Sequence, residues 1–487
     1  MSPKCSLCGA AAKRHCLTLK ESICPFCCGS KRGRTILCSP DCQYDPFSLQ
    51  SYDAVRGMDK TLDDKIVHHI RSRIPEADFD AALKQFTGKS LKKLDNDEAP
   101  VLELIFSWLL FDYRDGSGMS ENDLWKAAGY PGLTHDERRM VGFMEKWTVS
   151  VVEVQEIPDE STLVCIDLFD PEQDRFIVKD RSCAASAERY MKILTGIHTL
   201  PHYRRFMGSG ITVGAAFAQT FLKELTARTK DSGINVRDYL KHNFGEARNL
   251  LLDYTEKDEK RFRKGLDAWH CTAEYRFTVS RAKLLKAIRN RLEFEPENEP
   301  AGTECFVWLK KGESSGFSVD AGSNLHRIGP EGAITVIGNL KLRKDVLFVE
   351  TFGQGKWAHV QEKLKDFFPG MLELVRENKT DMLKDKSLNK PTPVKRTGKQ
   401  LPPELEKQIV AEFYSKQYKT FADEPVPMLN NMTPREASKI PAMRGKLVEL
   451  MKIHLSGLER QKREKGVDVD LKSLIRELGL EEWLPSW

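Results

Sequence analysis

Cys5-Ser6-Leu7-Cys8 and Cys24-Pro25-Phe26-Cys27 stand near the start of this chain of 487 residues. Each pair has the Cys-x2-Cys spacing that lets two thiolates grip one tetrahedral ion, and fifteen residues separate the pairs. Two such pairs at that separation are a zinc signature. Cys16, Cys28, Cys38 and Cys42 form a further set, with His15 as a substitute ligand. The order predicts an interleaved, two-zinc module over residues 1–46. Cys5, Cys8, Cys24 and Cys27 hold one ion; Cys16, Cys38 and Cys42, with Cys28 or His15, hold the other.

A segment this short cannot bury enough apolar surface to fold alone. Bound zinc would supply the deficit, because its binding free energy becomes folding free energy. Four-cysteine sites are closed, so the expected role is structural rather than catalytic. A redox dithiol at Cys24 and Cys27 is the competing reading, and so many further thiols at ligand-like spacing argue against it. The other four cysteines, Cys165, Cys183, Cys271 and Cys305, are scattered and read as small buried hydrophobes.

Composition narrows the rest. The net charge is +5, from 76 basic and 71 acidic residues, too near balance to imply a nucleic-acid or membrane surface globally. The most apolar run, residues 101–111, is about half of what a bilayer needs. The first residues carry no apolar secretory core, so the expected compartment is the cytoplasm, with no membrane partner. A local basic cluster, Lys31, Arg32 and Arg34, lies between the cysteines. It can touch phosphates. Alternatively it offsets the double negative charge of a four-thiolate zinc site, and so short a cluster favours that second reading.

Hydropathy patterning gives an α+β, multidomain chain. Residues 47–146 read as a helical connector, with helices over 59–74 and 100–113 and a capping box starting another at Thr134 to Glu137. Residues 147–208 alternate with period two in five short segments (148–157, 161–169, 175–179, 190–198 and 202–207), which predicts a small barrel-like unit. Tyr203-Arg204-Arg205-Phe206 reads as strand-end packing with solvated arginines, and Gly208-Ser209-Gly210 as a turn before a helix. Residues 209–268 form a helical segment, with helices over 211–228 and 236–254. Residues 269–380 form an α+β unit. Residues 381–403 are a basic, proline-containing linker. Residues 404–487 form a helical C-terminal domain, where Thr433-Pro434-Arg435-Glu436 is a helix start rather than a chemical motif.

The strings Ile23-Cys24-Pro25-Phe26-Cys27-Cys28-Gly29-Ser30-Lys31-Arg32 and Cys38-Ser39-Pro40-Asp41-Cys42-Gln43-Tyr44 resemble the cysteine-rich start of certain uncharacterised bacterial proteins. Ser107 to Tyr113 and the stretch from Glu424 to Ala437 are similar to parts of proteins carrying a SEC-C metal-binding motif. The motif itself opens with Cys-x-Cys, whereas this chain opens with Cys-x2-Cys, so the element is related to that motif and not identical with it. The SEC-C element resembles the zinc tail of the SecA translocation motor, which contacts a chaperone and the ribosome. Those partners come to this chain by analogy alone, and the resembling group carries no assigned activity.

No phosphate-binding loop, H-E-x-x-H or G-x-S-x-G string is present. The sequence thus leans away from an enzyme. It favours a zinc-containing binding or adaptor protein whose partner is nucleic acid or a ribonucleoprotein machine such as the ribosome. The alternatives are a protein–protein adaptor with purely structural zinc and a nucleic-acid-processing enzyme without a readable motif.

Overall fold

The computed structural model describes residues 3–88, 99–114, 118–230, 233–265, 267–297, 304–309, 326–329, 332–382 and 403–484. It divides into two compact units, Met1–Thr255 with Lys407–Trp487, and Glu256–Glu406. The chain is mixed α and β, as its patterning predicts. Residues 383–402 of the expected linker lie outside the described residues. Among the described residues no helix is long and apolar enough to cross a membrane.

The first unit opens with a hairpin of β1 (Arg14–Cys16) and β2 (Glu21–Ile23), followed by α1 (Pro25–Lys31). Five helices come next: α2 (Tyr52–Arg73), α3 (Glu76–Thr87), α4 (Ala99–Phe111), α5 (Glu121–Ala127) and α6 (His135–Met144). Pro75 forces Ile74 into extended backbone and so ends α2. The Thr134–Glu137 capping box starts α6 where the sequence places it. Ile66 and Ile70 of α2 pack with Ile105, Trp108 and Leu109 of α4 in one large core.

Five strands then close into a barrel: β3 (Thr148–Asp159), β4 (Thr162–Asp167), β5 (Phe176–Lys179), β6 (Lys192–Thr199) and β7 (Arg204–Val213). Their order around the barrel is β3-β4-β5-β7-β6, with β6 returning to β3. A short helix, α7 (Arg181–Ser186), links β5 to β6. Val152, Val154, Leu163, Cys165 and Val178 fill the interior. Val149 and Val151, on the opposite face of β3, join the helical core. Strand β3 is therefore covered on both faces, which is why its pattern is so continuously apolar.

Three expectations need correction here. Gly208 and Gly210 do not form a turn before a helix; they lie inside β7, both at positive φ. A Cβ at Gly210 would sit 2.6 Å from Ile193 Cγ2, so the strand can pass β6 at that point only without a side chain. The helix expected from residue 211 instead starts at α8 (Ala218–Lys230). The helix expected over 236–254 is two, α9 (Val236–His242) and α10 (Phe244–Gly265), broken at Asn243.

The C-terminal part of this unit is helical, with α13 (Pro403–Phe421), α14 (Pro434–Ser438), α15 (Arg444–Lys465) and α16 (Lys472–Glu477). Helix α15 is held on the barrel by a buried ionic network. Glu153 of β3, fully buried, accepts from Lys192 Nζ at 2.8 Å and Lys452 Nζ at 2.6 Å. Glu449 also meets both lysines, at 2.7 and 3.2 Å. Burial raises the Glu153 carboxyl, but the two ammonium groups outweigh it and hold it below the usual carboxylate range.

The second unit is an antiparallel sheet with two helices on one face. Its elements are β8 (Trp269–Phe277), α11 (Arg281–Arg289), β9 (Phe294–Glu297), β10 (Glu304–Leu309), β11 (His326–Gly329), β12 (Gly332–Leu342), β13 (Val346–Phe352), α12 (Gln354–Phe367) and β14 (Leu372–Asp381). The order β14-β8-β13-β12 is a split βαβ arrangement, extended at one edge by β10 and β9. Leu284 and Ile288 of α11 and Trp357, Val360 and Leu364 of α12 cover Ala273, Leu340 and Val349.

Glu153→Gln should lower the urea midpoint of the first unit by the equivalent of about 3–5 kcal/mol, because it leaves two buried ammonium groups with the single carboxylate of Glu449. Replacing Glu153, Lys192, Glu449 and Lys452 together by leucine should recover most of that loss. A midpoint unchanged by Glu153→Gln would show that the network contributes nothing.

Candidate metal centre

The two cysteine pairs are brought together by backbone bonding. In the first knuckle the Gly9 N–H donates to Cys5 O at 2.8 Å, closing the Cys5–Cys8 loop. The Ser6 N–H donates to Ser22 O at 3.0 Å and ties that loop to β2. In the second, Cys24 is the N-cap of α1, its sulfur accepting from the Cys27 N–H at 3.3 Å. Pro25 occupies the first helical turn, where a missing N–H costs nothing.

The result is one compact group. The sulfurs of Cys5, Cys8, Cys24 and Cys27 all lie within 4.8 Å of one another, with Cys8 the exposed member. Cys8 and Cys24 are 3.6 Å apart, far beyond a disulfide. A tetrahedron with metal–sulfur bonds of about 2.3 Å has edges of about 3.8 Å, so this set fits a zinc ion. The thiols also divide their protons unevenly. Burial raises Cys5, yet N–H groups of Cys24, Leu7 and Cys8 outweigh it and bring it down to about 6. Hydrogen bonding to Cys8, then burial, pushes Cys27 up to about 12. Four negative sulfurs at this spacing require a cation.

The second set is gathered more loosely. Cys16, Cys28, Cys38 and Cys42 all line one cavity of about 10 Å³, with His15 at its wall. Among the described residues the first quartet is the group whose ligand atoms approach within 4.8 Å, so no three of these do. Cys16, Cys28 and Cys42 are buried, Cys38 is half-buried and His15 is exposed. Burial, with the negative charge of Asp45 close by, pushes the Cys38 thiol up to about 12.

One member of the basic cluster, Arg32, serves the module's own attachment. Arg32 donates through Nε to Asp136 Oδ1 at 3.1 Å and through a terminal nitrogen to Tyr44 O at 2.7 Å. Arg139, on the same helix α6 as Asp136, meets the buried Asp45 at 3.0 Å and lies over the Phe47 ring. His202 Nε2 is 3.1 Å from Cys38 O. Gly33 leaves room for this clamp: it sits at φ +67°, and a Cβ there would stand 2.3 Å from Arg139 Nε. Lys31 is half-buried and Arg34 exposed. The neighbouring arginines Arg204 and Arg205 are not solvated as expected. Arg204 lies 3.8 Å above the Phe176 ring, and Arg205 pairs with Asp59.

Sequence reasoning missed a set of apolar side chains held outward by the module: Leu7 at 40%, Leu17 at 46%, Phe26 at 80% and Leu37 at 77% exposure. The signal was present in Cys-Ser-Leu-Cys and Cys-Pro-Phe-Cys. When both flanking cysteines turn inward to one ion, the residue between them is driven outward.

Neither a scan of protein-family models nor a search of curated proteins finds a match to this chain.

Replacing Cys24 and Cys27 together by serine should release metal from the first group and make residues 1–46 sensitive to trypsin, with the barrel intact. Undiminished zinc content in that variant would overturn the ligand assignment. Gly33→Ala should loosen the module's attachment without lowering its zinc content, read as faster tryptic cleavage after Arg32 and Arg34.

Proposed function

We propose that this chain is a non-enzymatic adaptor whose zinc-shaped N-terminal module docks a partner protein. The observation that carries the reading is Phe26, 80% exposed between two buried cysteines. Large apolar side chains displayed together on a small module mark interaction surfaces. Aromatic anchors carry much of the energy of such interfaces. The module also exposes Lys4, Lys13, Lys20 and Arg34, which suits a partner with an apolar patch and acidic groups. The likeness of the cysteine strings to SEC-C-related elements supports a docking role. Among the described residues no cysteine forms a disulfide, which supports a reducing setting, the cytoplasm.

A second zinc ion belongs to the same reading. The remaining four thiols of the module share one cavity close to the size of a single water molecule, which supports a second closed site. Cys28 rather than His15 completes it, since Cys28 is buried beside that cavity while His15 is exposed on β1.

The second functional reading is nucleic acid or a ribonucleoprotein bound through the basic side chains. Exposed Arg34 favours it; Arg32, clamped to Asp136, does not contribute. Phosphate contacts weaken steeply between about 50 and 200 mM salt, whereas an apolar interface does not.

Metal analysis should find about two zinc ions per chain, falling to about one in Cys16→Ser/Cys28→Ser and staying at two in His15→Ala. Purified from its host at low salt, the protein should carry a stoichiometric protein partner that survives nuclease. Phe26→Asp/Leu37→Asp should lose that partner and keep its zinc. Co-purifying material that nuclease or moderate salt removes would instead make nucleic acid the partner.

A further inference from the structure

A cavity of about 520 Å³ lies in the first unit, away from the cysteines, between α2, α4, α6 and strands β6 and β7. Its size falls within the range of small-molecule sites. The walls are largely apolar, with Ile66, Leu102, Phe106, Met140, Met144 and Met207 among them. Three methionines and an aromatic ring give an adaptable, polarisable lining.

The polar groups are few and converge. Asp59 and Asp63 stand one helical turn apart on α2 and both line the cavity. His198 of β6 lines it too, is 7% exposed, and its Nε2 has no hydrogen-bond partner among the described residues. Ser107 of α4, also 7% exposed, completes the set. A buried ring nitrogen without a partner is costly unless something else fills its valence. Burial, with Arg205 nearby, drives His198 down to about 3, so the ring stays neutral.

The sign of the site follows from what Arg205 does. Its guanidinium is held by Asp59. That leaves Asp63, exposed at the rim, as the carboxylate in excess: two carboxylates face one guanidinium among the charged lining residues. Arg205 Nε, buried and without a hydrogen-bond partner among the described residues, remains a donor, but the lining keeps one carboxylate in excess, with the neutral imidazole nitrogen and a hydroxyl beside it. An anion would meet Asp63 with no free cation to balance it.

We propose that this cavity binds a small organic ammonium ion carrying an apolar group. The hydrocarbon part lies against Phe106 and the methionines, and the N–H groups donate to Asp63 and His198 Nε2. Metal cations are a poorer fit, because among the described residues Asp59, Asp63 and His198 do not bring their ligand atoms within 4.8 Å of one another. The site is independent of the zinc module and of its docking role, so the two readings stand or fall separately.

The test is calorimetric titration of the full chain with three probe pairs: benzylammonium, 2-phenylethylammonium and n-hexylammonium, each against the alcohol of the same skeleton. At least one ammonium ion should bind about tenfold or more tightly than its alcohol, since a charge-assisted hydrogen bond separates them. Asp63→Asn should abolish that preference; the residue is exposed and the fold should tolerate the change. Val67→Trp, which fills the rim with a bulky ring, should remove binding altogether. Equal affinity for ammonium ion and alcohol, an unchanged preference in Asp63→Asn, or no binding by any ammonium probe would each overturn the proposal.

Discussion

Four sulfur atoms within 4.8 Å of one another cannot all be ionised unless a cation sits among them. That constraint organises the amino-terminal module. The hairpin of β1 and β2 and the single helix α1 are too small to hold together through apolar burial, and the cysteines are themselves most of the module's core. Once the sulfurs converge on an ion, the geometry of the knuckles follows. The ligands point inward, Leu7 and Phe26 point outward, and the loop carrying Arg32 is presented to α6. A single ion held by these four sulfurs would build the module, display its apolar side chains and position the arginine that fastens it to the body of the unit.

The body is held by a different logic. Strand β3 faces the barrel interior on one side and the helical core on the other, and it carries Glu153 into a dry position. An unpaired carboxylate there would be prohibitive. Lys192 from the neighbouring strand and Lys452 from a helix far along the chain make it tolerable. The pairing fixes where α15 docks, because only one register of that helix delivers Lys452 and Glu449 together.

Much of this was legible in the sequence. The five barrel strands lie within a few residues of the segments that alternate with period two, and the Thr134 and Thr433 capping boxes start their helices as local chemistry dictates. The first quartet of cysteines could be read from spacing alone. What escaped depends on distant partners or on local rules that mislead. Gly208 and Gly210 look like a turn and lie in a strand, where the neighbouring strand leaves no room for a Cβ at Gly210. Strand β14 is rich in Glu, Lys and Arg and mostly exposed, so it lacks the alternation that marks a half-buried strand. Strand β9 carries Pro296, which reads as a breaker but is tolerated on a sheet edge. Arg32 looks like a free phosphate ligand because its acceptor, Asp136, lies 104 residues away. The 520 Å³ cavity is assembled from α2, α4, α6 and two strands, and no single segment announces it.

X-ray absorption at the zinc edge of the purified chain tests the central claim most directly. An all-thiolate module gives a first shell of sulfur alone, about four per zinc at about 2.3 Å. A first shell containing nitrogen or oxygen at about 2.0–2.2 Å, or a protein without a zinc edge, would contradict the account at its foundation.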